Sequence, residues 1–86
     1  MPVVSRFMGI VIAMYFNDHA PPHFHAKYGG QEASIHIETG TIEKGSLPKR
    51  TLAMVQEWRE LNKADLMYNW NALQTGMEFK AIPPLE

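Results

Sequence analysis

Gly29-Gly30 separates two stretches in which apolar and polar residues alternate, His23 to Tyr28 and Gln31 to Glu38. Alternation with period two marks a strand with one buried face. A glycine pair between two such stretches makes a two-residue hairpin, because the turns that match strand twist need positive φ, in type I′ at both central positions. Fixing the turn fixes the register: Tyr28 faces Gln31, Lys27 faces Glu32, Ala26 faces Ala33, His25 faces Ser34, Phe24 faces Ile35 and His23 faces His36. One side of the hairpin then carries Phe24, Ala26, Tyr28, Ala33, Ile35 and Ile37, the core face. The other carries His23, His25, Lys27, Glu32, Ser34, His36 and Glu38. A slip of one residue would bury the histidines and expose the isoleucines, so turn chemistry and apolar sorting agree independently.

The rest of the chain is read around this hairpin. Met1 to Ser5 lead in, and Phe7 to Phe16 is continuously apolar, as expected of one central strand buried on both faces, with Gly9 marking a bulge or close backbone approach. Asn17 to Pro22 form a loop. A third hairpin strand, Thr41 to Lys44, follows Thr39-Gly40, and a two-residue turn there pairs Ile42 with Ile37 and Glu43 with His36. Ser46 is a candidate cap for a helix with Pro48 in its first turn and Leu52, Val55, Trp58 and Leu61 on its apolar stripe. Asn62 and Asp65 open a second helix that runs through Leu66, Trp70 and Leu73 to Gly76. Glu78 to Ile82 reads as a short edge strand before Pro83-Pro84. The order implies an α+β fold: an antiparallel sheet of three to five strands covered on one face by a C-terminal helix pair, in a single domain over residues 1–86.

Composition narrows the chemistry. With no cysteine among 86 residues, a metal site has only His, Asp and Glu to draw on. A net charge of −1 gives no bulk attraction for nucleic acid. The apolar run is too short to span a bilayer and lacks the flanks of a signal peptide, so a cytoplasmic protein is expected.

Three of the four histidines fall within seven positions, His19 to His25, behind Pro21-Pro22. His23 and His25 are two apart on one strand and project from one face, with His36 across from His23. Imidazole near neutral pH serves as metal ligand or as acid and base. The candidate metal ligands are therefore His23, His25, His36 and His19, with zinc or nickel the ions that suit imidazole without thiolate. Glu43 is a further candidate at that end. For metal-free chemistry, His23, His25 and His19 are the candidate catalytic acid and base, as in RNA phosphodiester cleavage, and Asp18, Arg6 and Lys27 are the candidate binding groups. Asp18 can equally orient a histidine or simply start the turn. A structural role for all the histidines also stays open. Trp58 and Trp70 belong to the core, while Lys49, Arg50 and Arg59, interleaved with Glu57 and Glu60, read as a solvated face.

Ser5 to Ile12, the Asp18-His19-Ala20-Pro21-Pro22-His23-Phe24-His25-Ala26 stretch, Ile37 to Gly40 and Gly45 to Pro48 together resemble the domain of unknown function 4160 family over nearly the whole chain. Asp18, His19, Pro21, Pro22, His23, Phe24 and His25 match its hallmark, and His36 lies outside it. The resemblance implies a small bacterial protein without a settled activity, often encoded beside a partner of the domain of unknown function 2442 type in a toxin–antitoxin-like pair. Two functional readings follow: an enzyme working through the histidine face, with RNA as a possible substrate, or a non-enzymatic partner-binding or regulatory module, including a homo-oligomer.

Overall fold

A computed structural model describes residues 2–86. Five strands form one antiparallel sheet in chain order: β1 (Val3–Phe7), β2 (Ile10–Ala13), β3 (His23–Tyr28), β4 (Gln31–His36) and β5 (Ile42–Gly45). Helices α1 (Lys49–Leu61) and α2 (Lys63–Thr75) follow, which gives the expected α+β architecture.

The β3–β4 register agrees with the sequence reading at every pair, from Tyr28 opposite Gln31 to His23 opposite His36. The turn differs in type. Gly29 has φ of 58°, but Gly30 is not in the positive region, the sign pattern of type II′ rather than type I′.

The apolar run from Phe7 to Phe16 is not one strand. The chain reverses at Met8-Gly9, with φ of 50° and 78°, and pairs Phe7 with Ile10 and Arg6 with Val11. A methionine conceals this turn, because non-glycine residues rarely adopt positive φ. Continuous apolarity suits two buried strands as well as one. Val3 to Ser5 of the lead-in are accordingly part of β1, with a bulge between Val3 and Ser5.

β5 is also displaced from the expected register. Ile42 pairs with Ile35 and Lys44 with Ser34, leaving Glu43 as the extra residue of a bulge. The connection is longer than two residues, because Thr41 O accepts from His36 N–H and His36 O accepts from Gly40 N–H. Helix α1 holds that loop. Gln56 Nε2 donates to Gly40 O at 2.8 Å, and the buried Arg59 donates Nη1 to the Ile37 and Glu38 carbonyls at 2.9 and 3.1 Å. Arg59 is therefore an internal clamp and not a solvated cation. Gly40, at φ of 78°, leaves the space that the Gln56 and Arg59 side chains fill.

α1 starts after Pro48 without a side-chain cap, so Ser46 does not serve as one. Asn62 precedes α2 but donates backward to Trp58 O. Gly76 ends α2 in the left-handed region, as expected. Residues 78–82 do not form a strand. They are tied by Ile82 N–H to Val4 O and by Asn69, which exchanges two hydrogen bonds with the Lys80 backbone.

The core lies between sheet and helices. Trp58 is fully buried against Phe7 and Phe24, with ring centroids at 5.5 and 5.8 Å, and its Nε1 donates to Pro83 O. Trp70 is buried as expected, while Tyr28, at the hairpin tip, is exposed. No helix among the described residues is long and apolar enough to cross a membrane.

Candidate functional site

Loop 17–22 returns the chain from β2 to the start of β3. Asn17 takes φ of 54°, which asparagine tolerates, and the Ala20–Pro21 peptide is cis. Asp18 lies beside two histidines of β3. Its Oδ2 lies 3.0 Å from His23 Nε2 and 3.2 Å from His25 Nε2. Its Oδ1 accepts from the His19 backbone N–H at 2.9 Å and lies 3.1 Å from His19 Nδ1.

The β5 bulge completes the group. An extra residue re-aims a side chain, here Glu43, whose two oxygens meet His19 Nε2 at 2.8 Å and His36 Nε2 at 3.1 Å. On the far side of the His25 ring, Nδ1 lies 3.3 Å from both Ser34 Oγ and Glu32 Oε2. Four imidazoles and three carboxylates thus share one end of the sheet.

His23 is the centre of the cluster and the least accessible member, at 1% exposure. Helix α2 covers it: the Trp70 ring centroid is 5.3 Å away, and Gln74 Nε2 donates to Asp18 O at 3.2 Å. His23 Nδ1 lies 2.9 Å from Pro21 O. A carbonyl only accepts, so Nδ1 carries the proton, and in the neutral ring Nε2 presents a bare lone pair. That Nε2 is buried and makes no hydrogen bond; Asp18 Oδ2 is near but off the bonding direction. A buried polar atom without a partner is uncommon and costly. A histidine whose second ring nitrogen is fixed by a backbone carbonyl is also the usual arrangement of a metal ligand.

Electrostatics reinforce the picture. Burial pushes the Asp18 carboxyl up, but the His25 hydrogen bond, the His19 backbone N–H and the neighbouring imidazoles outweigh it and leave the pKa below its ordinary value. Glu43 is held low chiefly by hydrogen bonds from His19 and His36. The bond to Glu43 raises His19 against a smaller desolvation effect, helped by Asp18. Acceptors crowd the cluster, and a cation is the natural complement. Among the described residues, two triads have ligand atoms within 4.8 Å of one another: Asp18 with His23 and His25, and His19 with His23 and Glu43.

Of the residues singled out in the sequence, Asp18, His19, His23 and His25 come together directly, and His36 joins through Glu43. Arg6 does not: it is exposed on β1, two strands from β3. Lys27 lies further along β3, its Nζ 5.8 Å from the Tyr15 ring, which stands edge-on to His25 at 4.6 Å. Ser34 and Glu32 were not singled out as site members, although the register and the period-two rule put them on the histidine face. The Pro21 carbonyl is local, two residues before His23, whereas Trp70 and Gln74 are brought in by packing over long separations, which no local pattern signals. A hollow of about 200 Å³ beside His36, between Pro21-Pro22 and Met67, and an open cleft of about 380 Å³ beside His25, lined by Ser34, Glu32 and Lys44, flank the cluster.

The family model described as "Domain of unknown function (DUF4160)" matches residues 9–71, most of the chain, so the chain belongs to that family. No curated protein and no solved structure matches it.

Proposed function

We propose that this member of the domain of unknown function 4160 family is a divalent-metal-binding protein, with Asp18, His23 and His25 as its primary ligands. One observation carries the reading: His23 Nε2 is buried and unpartnered beside Asp18, with Nδ1 committed to Pro21 O. Two imidazoles and one carboxylate suit zinc or nickel and leave a coordination position open. Metal-free phosphodiester chemistry is less well supported, because a phosphate there would meet the carboxylates of Asp18, Glu32 and Glu43, which outweigh Lys44 in the cleft beside His25. A bound ion would supply the missing positive charge, so RNA chemistry enters as a metal-assisted variant of the same proposal.

Calorimetric titration of untagged protein with zinc and with nickel tests the reading. Saturation at one ion per chain, abolished by His23→Leu and weakened by Asp18→Asn, supports it; an absence of binding heat and of thermal stabilisation with both ions refutes it. We further propose that the chain works as one member of a two-protein, toxin–antitoxin-like unit. Co-purification with an adjacent-gene partner of the domain of unknown function 2442 type tests that part separately.

A further inference from the structure

The two triads are not independent. Each needs His23, and His23 has one nitrogen to give, because Nδ1 is committed to Pro21 O. An imidazole lone pair on Nε2 coordinates one ion at a time. The triads are therefore mutually exclusive arrangements around a shared ligand.

They also differ in access. In the outer triad the His19 and Glu43 side chains are 65% and 31% exposed; in the inner one the Asp18 and His25 side chains are 18% and 15% exposed. The His19 and His23 ring centroids are 4.9 Å apart, and those of His23 and His25 are 5.1 Å apart, so His23 lies between the two positions. Asp18 spans both: Oδ1 faces His19 and Oδ2 faces His23 and His25.

We infer that the site is a two-position metal relay pivoting on His23: a divalent ion is captured by His19, Glu43 and His23, then passes to Asp18 and His25 without leaving His23 Nε2. This rests on the metal reading above and assigns the site a working mode, reversible loading and hand-over of a borderline cation such as zinc, nickel or cobalt. In the transfer the metal bonds to His19 and Glu43 break as those to Asp18 and His25 form. No electron moves, and protons displaced from imidazole nitrogens leave to water. Glu43 and His19 then act on rates more than on equilibrium, since a route used in both directions speeds loading and release together.

Cobalt(II) and zinc are the probes, followed by stopped-flow absorbance during uptake and during release to excess EDTA, on the whole chain. Wild type should take up one equivalent. Glu43→Gln and His19→Ala should each slow uptake and release severalfold together, while the dissociation constant changes far less than in Asp18→Asn. Asp18→Asn should instead speed release and weaken binding. Two equivalents per wild-type chain, or unchanged rates in both outer variants, would overturn the relay while leaving metal binding intact. Absence of any binding by wild type would overturn both.

Discussion

Phe24 and His23 are neighbours on β3 and almost equally buried, at 0% and 1% exposure, yet their surroundings differ in kind. Phe24 meets Trp58 edge-on and lies in a continuous apolar cluster with Ile35, Ile37 and Val55. Every contact it makes is one that burial favours. His23 is enclosed by Trp70 and the Pro-Pro loop, with one nitrogen satisfied and the other facing a carboxylate off axis. The Phe24 side has what a stable core needs. The His23 side buries a ring nitrogen that makes no hydrogen bond, a cost that a bound cation would remove. The contrast separates the part of the sheet that makes the fold from the part that is arranged for a ligand.

Substitutions should divide along that line. The largest effect belongs to the core: Trp58→Ala should destabilise by about 3–5 kcal/mol, read by urea denaturation, enough to unfold much of so small a domain. A loss below about 1 kcal/mol would mean that the core is not centred there. Arg59→Met comes next. It leaves the Ile37 and Glu38 carbonyls without their charged donor and should cost about 1.5–3 kcal/mol. Because the same loop positions Glu43, it should also slow metal uptake. His23→Phe should keep the metal-free chain within about 1 kcal/mol of wild type, since it removes an unpaired nitrogen as well as a bond to Pro21 O. A loss as large as that of Trp58→Ala would show His23 to be ordinary core.

The smallest effect is the pH dependence of the metal-free chain. Asp18 and Glu43 lie below their ordinary values, so their contribution is present above the unfolded carboxylate range and is lost as pH falls through the depressed values. His19 lies above its ordinary 6.5, so its contribution is full below that pH and is lost as pH rises through the raised value. Stability should therefore be greatest between the two limits. Glu43→Gln should flatten the alkaline limb, since the bond to Glu43 is the main cause of the His19 shift, and melting curves across pH read this directly.

The sequence was legible where local rules act alone. Gly29-Gly30 and strict alternation place all six β3–β4 pairs and put His23, His25 and His36 on one face. It misled where an unusual residue took a special conformation. Met8 in the left-handed region hides the β1–β2 turn inside an apolar run, and the β4–β5 connection, held by Arg59, is longer than two residues and leaves Glu43 in a bulge. The site was half legible for the same reason. His23, His25 and His36 follow from the register, and the Pro21 carbonyl lies only two residues from His23, while the Trp70 cover comes from long-range packing.

The most direct measurement is ring-nitrogen NMR of His23 in metal-free protein at neutral pH, repeated after addition of one equivalent of zinc. The expected result is a ring protonated on Nδ1, with an Nε2 resonance that shifts to the metal-bound range on zinc addition while Nδ1 keeps its proton. A ring protonated on Nε2, or an Nε2 resonance that zinc leaves in place, would contradict the assignment of His23 as the central ligand.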